Sequence, residues 1–308
     1  MQNLSQKNLW LNIDKPIGYS SAKVVAIVKR VTGAKKVGHA GTLDPFASGI
    51  LPIALNKATK TCQYIADERK KYFFRITWGE FRDTDDVEGK VIESSLARPD
   101  IAQIISVLPN FLGKIKQVPS RFSAIKIDGQ RAYELARKEI EFEMKQREVE
   151  IFSLKLISNS AEFSEFEVEC SKGTYIRSLA RDISKKIGVC GYVSTLTRLA
   201  VGKFLYQKRI SLDVLKQVTT YGGRFLDGSL LCLQDVLGFM VEVKLDDLDA
   251  SKFKNGQIIT INMSPHGDQS LAHNSLALHA NIVRVVNNGE LIGLANFSQN
   301  LLKPVNVF

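Results

Sequence analysis

Asp44 is the one carboxylate in VGHAGTLDPFASGILPIAL, residues 37–55, a stretch rich in turn formers, and His39 lies five residues before it. A carboxylate in such a place serves as a nucleophile, an acid or a base, and an imidazole nearby invites an acid–base pair. The competing role is local, because Asp in G-T-L-D-P also shapes turns through its own side-chain hydrogen bonds. A second acidic group, Asp83, Asp85, Asp86 and Glu88, offers oxygens to a cation. In an EF-hand loop a glycine falls five residues after the first ligand, and that position holds Glu88. These acids are therefore read as a solvated or capping loop.

Other chemistries have little to work with. Of four histidines, His266, His273 and His279 sit in the loop-rich tail, which leaves no histidine-ligated metal set. No Walker A loop, G-x-S-x-G or G-x-G-x-x-G is present, and Gly38, Gly41 and Gly49 have the wrong spacing for a nucleotide fingerprint. Cys62, Cys170, Cys190 and Cys232 form no C-x-x-C pair, so they are read as reduced thiols. What stands is a polar site without metal, built around one carboxylate.

The 308 residues carry 42 Lys and Arg against 32 Asp and Glu, a net charge of +10. Residues 1–60 hold nine basic side chains and two acidic ones, Asp14 and Asp44, which is +7 beside the stretch that holds Asp44. A polyanion suits such a surface, since neutralised phosphates release counterions; a solvated lysine face is the alternative. A hydrophobic fraction of 44% fits a globular chain. With no apolar run of membrane length and no signal peptide, the protein is expected in the cytosol.

The elements that must position these groups can be sketched. LWLNI (9–13) predicts a strand, and Ser20 or Ser21 caps a helix over AKVVAIVKRVTGAKK that stops at Gly33. KKYFFRITWG (70–79), KVIES (90–94) and FEVECSKG (166–173) predict strands, with EFRDTDDVEG a polar loop between the first two. Residues 100–112 and 175–188 suit helices, and the charged segment 130–150 suits an exposed helix. From about residue 240 a small all-β domain is expected, with a hairpin at Asn288-Gly289 and a loop in SPHGDQSLAHNS (264–275).

GHAGTLDPFASGILP (38–52) resembles, almost residue for residue, the catalytic motif of the TruB family of tRNA pseudouridine synthases. The likeness extends to LNIDKPIGYSS (11–21), KKYFFRITWGEFRDTDDVEG (70–89), VPSRFSAIKIDGQRAYELAR (118–137), KGTYIRSLARDI (172–183) and LTRLAVGKF (196–204). It covers residues 9–215 well and the tail weakly. The resemblance implies an α+β fold, a central mixed, largely antiparallel sheet with flanking helices. The catalytic domain would span residues 1–238 with an RNA-gripping insertion at 118–150, and a PUA-like β-rich domain would follow at 239–308.

The activity implied is isomerisation of uridine 55 in the TΨC loop of tRNA to pseudouridine, without cofactor or metal. The protein would act as a cytoplasmic monomer with no obligate protein partner and no membrane. By motif, Asp44 is the catalytic aspartate, attacking the ribose carbon or abstracting a proton in a glycal route. His39 is a wedge beside the RNA bases, Tyr72 stacks on the flipped uracil, Tyr175 contacts the base and Leu196 walls the pocket. Arg177 pairs with Asp44 and favours its ionised form. Lys15 and Pro16 match residues that support the floor of the site. Two features depart from the family pattern: Arg82-Asp83-Thr84 replaces the usual Thr-Asp-Thr, and the tail has an unusual loop. A binding-only tRNA-folding module and a guide-RNA-dependent relative are the competing readings. The intact set Asp44, Tyr72 and Arg177 argues against the first, and the absence of long basic extensions together with the insertion at 118–150 argues against the second.

Overall fold

Leu9–Lys15 and Ser48–Leu55 are almost wholly buried, the second nearly all apolar and the first carrying the buried polar residues Asn12 and Lys15, as befits strands covered on both faces. They pair antiparallel from Trp10 opposite Ala54 to Lys15 opposite Gly49. Leu11, Ile13, Leu51, Ile53 and Leu55 face one apolar cluster, and Trp10, Ile50 and Ala54 face another. Lys70–Trp78 instead alternates buried and half-buried residues along its length, the period of a strand with one face in the core. Its inward Tyr72, Phe74, Ile76 and Trp78 meet Phe166, Val168 and the helix residues Leu179 and Ile183.

The computed structural model describes residues 4–261 and 281–308. Ten strands form the main sheet. Its order is Leu230–Cys232, Leu9–Lys15, Ser48–Leu55, Gly191–Val201, Lys70–Trp78, Phe163–Cys170, Arg147–Asn159 and Gly113–Gln117. Val37–His39 lies beside Ser48–Leu55, and Phe204–Leu205 beside Gly191–Val201. Among the described residues one pairing in this sheet is parallel, where Thr197 and Arg198 meet Ser48 and Gly49. The sheet is mixed and largely antiparallel, as the family resemblance implied. Helices Ile101–Val107 and Ile176–Ile187 pack on one side of it, and Ser21–Thr32 packs where Val24 and Val28 cover Leu11 and Leu51. The last helix has the caps its sequence predicts: Ser20 accepts from the Lys23 N–H, and Gly33 takes φ 68°.

A second, five-stranded sheet runs Glu242–Lys244, Ile282–Asn287, Glu290–Ser298, Leu301–Val307 and Ile259–Thr260. Asn288 and Gly289 turn its hairpin with φ 50° and 80°, the left-handed pair that a two-residue hairpin favours. This region is not all-β, because the helix Asp247–Lys254 packs Ala250 and Phe253 against the sheet. The loop 264–275 and His266, His273 and His279 lie outside the described residues. Leu294 joins the cluster of Trp10, Ala40 and Ile50, and Ile282, Leu291 and Phe308 pack on it, so the two sheets share apolar contacts. No described helix is long and apolar enough to cross a membrane.

Two further expectations need correction. Segment 130–150 is not one helix: only Ala132–Arg137 is helical, and Arg147 already begins the long strand to Asn159. Charges of both signs suit an exposed helix, yet in E-V-E-I the Val149 and Ile151 side chains alternate inward with period two. Residues 80–89 are not simply loop either, since Glu80–Arg82 pairs with Val91–Ser94.

Candidate active site

Asp44 sits between the strands Val37–His39 and Ser48–Leu55, on a loop pinned from three sides. Its own carbonyl accepts from the Ala47 N–H at 3.1 Å, closing a turn with Pro45 inside it. The Ser21 hydroxyl both accepts from the Leu43 N–H and donates to the Leu43 carbonyl, at 3.0 and 3.1 Å. Lys15, fully buried, donates its ammonium to the carbonyls of Tyr19 (2.7 Å), Pro16 (3.0 Å) and Pro45 (3.2 Å). Arg198, also buried, donates to the carbonyls of Ile50 (2.6 Å), Gly41 (3.0 Å) and Thr42 (3.4 Å). Gly49 takes φ 99°, and a Cβ there would stand 2.3 Å from the Arg198 carbonyl oxygen, so the parallel contact between the two strands requires glycine. Two buried cations thus fix the backbone that carries Asp44, and both are neutralised mainly by carbonyl dipoles.

The carboxylate itself points at Arg177, in the first turn of Ile176–Ile187. Arg177 Nε lies 3.0 Å from Asp44 Oδ2, an ion pair without the alignment of a hydrogen bond. Its other nitrogens are engaged on the far side. Nη1 donates to Asp86 Oδ2 at 3.1 Å and the Thr84 carbonyl at 2.9 Å, and Nη2 donates to the Phe122 carbonyl at 3.0 Å. The Arg177 side chain is 4% exposed and that of Asp44 35%, so the guanidinium is an interior fixture and the carboxylate faces a visitor. Burial opposes the Arg177 charge, but Asp44, Asp86 and Asp85 together outweigh it and hold the guanidinium more firmly protonated. For Asp86 the balance is opposite: burial outweighs the pull of Arg177 and raises its pKa. Burial also pushes the Lys15 ammonium down to about 8, against the attraction of Asp44.

The remaining sequence candidates surround this pair unequally. Tyr72 is buried at 9% exposure, a wall of the apolar cluster that also holds Leu43 and Phe46, and its hydroxyl faces Arg198. Burial, eased by Arg198, raises the pKa of that hydroxyl. Leu196 is buried in the strand Gly191–Val201, opposite Phe74. Tyr175 caps the helix of Arg177, with its backbone gripped by Gln117, which donates to the Tyr175 carbonyl at 3.1 Å and accepts from its N–H at 2.8 Å. His39 is half-buried, and burial together with Arg198 lowers its pKa below the usual imidazole range. No ion pair or hydrogen bond joins His39 to Asp44 among the described contacts; the group that meets Asp44 is Arg177, 133 residues along the chain.

Three charged groups of the site were missed or misread. Asp85 and Asp86 are not solvated, being 9% and 3% exposed, because each meets an arginine of the helix Ile176–Ile187. Capping describes Asp83, which accepts from the Lys90 N–H at 2.8 Å, and part of Asp86, which accepts from the Glu88 N–H at 3.0 Å. Arg198 had no signal beyond its place in L-T-R-L-A-V-G-K-F. Arg82, the departure from the family pattern, turns away to Glu80 and stacks over the Tyr192 ring at 4.2 Å. Among the described residues no cluster of His, Cys, Asp or Glu could hold a metal ion.

The profile of the TruB family pseudouridylate synthase (N terminal domain) matches residues 29–176. The tRNA pseudouridine synthase B of Ehrlichia ruminantium is 42% identical over 97% of this chain and 98% of its own. That of Rhodospirillum rubrum is 41% identical over 97% and 95%. Among solved structures, a Cbf5-Nop10-Gar1 complex superposes with a TM-score of 0.71 at 22% identity, over 99% of this chain and 85% of that one. An H/ACA RNP bound to a substrate RNA containing 2'-deoxyuridine gives 0.70 at 21%, over 97% and 84%. At that identity these two show a shared fold. With relatives this similar along nearly their whole length, the chain belongs to the TruB family of pseudouridine synthases.

Proposed function

We propose that this chain is a tRNA pseudouridine synthase that converts uridine 55 of the TΨC loop to pseudouridine, with Asp44 as its catalytic carboxylate. The observation that carries the assignment of Asp44 is its half-open position against an interior arginine, itself backed by Asp86. A purely RNA-binding surface gains nothing from a fixed carboxylate facing phosphates.

A stacked uridine cannot present its glycosidic bond, so the nucleotide is extruded at a cost of a few kcal/mol, offset by stacking and phosphate contacts. Asp44, aimed by Arg177, either attacks the ribose C1′ as the bond to N1 breaks or removes a ribose proton to form a glycal. The freed uracil turns, C5 bonds to C1′, and the C5 proton is lost while N1 gains one. No atom is gained or lost overall. Leu196 and Tyr72 supply the apolar wall against which the base turns, and Tyr175 stands at the N-terminus of the arginine helix. His39, held neutral at pH 7 by its surroundings, offers a flat ring to a neighbouring base rather than a proton. The basic residues of the first 60 positions meet the tRNA backbone, and the sheet after residue 239 forms a PUA-like domain on the catalytic unit. The enzyme works in the cytoplasm as a monomer.

The test is to incubate the protein with an unmodified tRNA transcript and map carbodiimide-reactive sites by primer extension. A stop reporting position 55 is expected, and its absence refutes the activity. Asp44→Asn is expected to abolish the product while retaining tRNA binding; turnover by that variant removes Asp44 from its role.

A further inference from the structure

Arg181 follows Arg177 by one helical turn, and the two guanidiniums join the same three pieces of chain. Arg177 bridges Asp86 to the Phe122 carbonyl. Arg181 Nη1 meets Asp85 Oδ2 at 3.0 Å, and its Nη2 donates to the Val118 carbonyl at 2.8 Å. Two arginines four apart thus hold two consecutive acids and two carbonyls four apart. In extended backbone consecutive side chains point to opposite faces, and the pairing is possible because Asp85 takes φ 63°. That left-handed turn is held by the Asp85 N–H on the Arg82 carbonyl and by the Asp85 carbonyl on the Val193 N–H, both at 3.0 Å. Ser120 adds a third link, donating to the Thr84 carbonyl at 3.3 Å.

Val118, Ser120 and Phe122 are the root of the insertion 118–150. Its outer part hydrogen-bonds within itself, through Arg121 to the Ile140 carbonyl, Ala132 to Ile125 and Tyr133 to Ser123. The root is where the insertion meets the site. Arg181 and Asp85, with side chains 17% and 10% exposed, form a nearly dry pair, and Arg181 Nε also donates to Asp182 at 3.0 Å.

We propose that Arg181 and Asp85 are positioning residues, a clamp that docks the insertion's root on the helix of Arg177 so that tRNA captured by the insertion is delivered to Asp44. This rests on the synthase reading above, in which the insertion grips tRNA. Asp85→Asn keeps the size of the side chain and tolerates a positive φ; Arg181→Met keeps the stem and removes the charge. In the tRNA-free full chain, trypsin cleavage at Lys126, Arg131 and Lys138 should accelerate about tenfold in both variants, the loss of one charge-assisted hydrogen bond. KM for an unmodified tRNA transcript should rise by a similar factor while kcat changes less than about threefold. A general loss of folding would raise cleavage throughout the chain and leave KM unmoved, which overturns the proposal. Unchanged cleavage of the insertion overturns it too, as does faster cleavage with an unchanged KM. Absence of turnover in the unsubstituted protein would refute the synthase reading instead, and the protease result would still report whether the clamp holds.

Discussion

Asp86→Asn separates the charge behind Arg177 from the space it fills. At 3.1 Å the Asp86–Arg177 attraction is gross, about 5 kcal/mol at an effective dielectric near 20. Burial nevertheless raises the Asp86 pKa, so the desolvation of its charge exceeds that attraction and the neutral amide removes both together. Arg177 is not orphaned, because Asp44, the Thr84 carbonyl and the Phe122 carbonyl remain. The melting temperature is therefore expected to move by no more than about 4 °C, the effect of roughly 1 kcal/mol in a chain of this size. Activity should respond differently. The Asp86 oxygens accept from Arg177 on one side and from the Glu88 N–H and Thr84 hydroxyl on the other, and either orientation of an amide sets its NH2 against a donor. One charge-assisted hydrogen bond that aims the guanidinium is lost, about 1.5–3 kcal/mol, which lowers the single-turnover rate about 10- to 150-fold. Release of tritium from tRNA carrying [5-3H]uridine measures that rate, since the C5 proton leaves as the new bond forms. A rate within threefold of the parent, or a fall in melting temperature large enough to account for the lost rate, refutes the role given to Asp86.

Other expectations follow from the same geometry. Gly49→Ala places a methyl group against the Arg198 carbonyl at a positive φ and should cost more than about 2 kcal/mol; an unaltered thermal melt would contradict the parallel contact. With the Lys15 ammonium pushed down to about 8, the single-turnover rate should fall above that pH as the amine loses a donor to the carbonyls around Asp44, and Lys15→Arg should abolish that limb. Because the folded-state value lies below the unfolded 10.5, the charge is a cost to the fold below pH 8 that is relieved between about 8 and 10.5, so this group's share of stability rises while activity falls. A flat rate profile over that window would refute the assignment. Binding of tRNA should weaken steeply with salt, and removal of one phosphate-contacting lysine such as Lys29 should lower the log–log slope by about 1; an unchanged slope takes Lys29 off the docking face.

Local signals were legible in the sequence because their partners are close along the chain. Ser20 and Gly33 delimit a helix through contacts within four residues, and Asn288-Gly289 turns a hairpin by backbone conformation alone. Lys70–Trp78 announced itself by its aromatic and β-branched residues. The strands Gly113–Gln117 and Arg147–Val149 did not: the first lies at the sheet edge with its lysines in solvent, and in the second the charged Arg147, Glu148 and Glu150 around Val149 suited an exposed helix equally well. The site divides in the same way. Asp44 stood out through its motif, and so did Arg177. Asp85 and Asp86 looked like ordinary solvated acids because the guanidiniums that bury them lie 91 or more residues away. Arg198 was hidden for a related reason: its acceptors are main-chain carbonyls, which have no residue type to recognise.

The contact of the second sheet with the cluster of Trp10 has a mechanical meaning. Ala40 and Ile50 bracket the loop of Asp44, and they share that cluster with Leu294. Heat or denaturant that loosens the C-terminal sheet therefore removes support from both ends of that loop, and a single thermal transition is expected for the two regions. Through that cluster the C-terminal sheet buttresses the loop of Asp44 from behind, and the two are expected to be lost in the same transition.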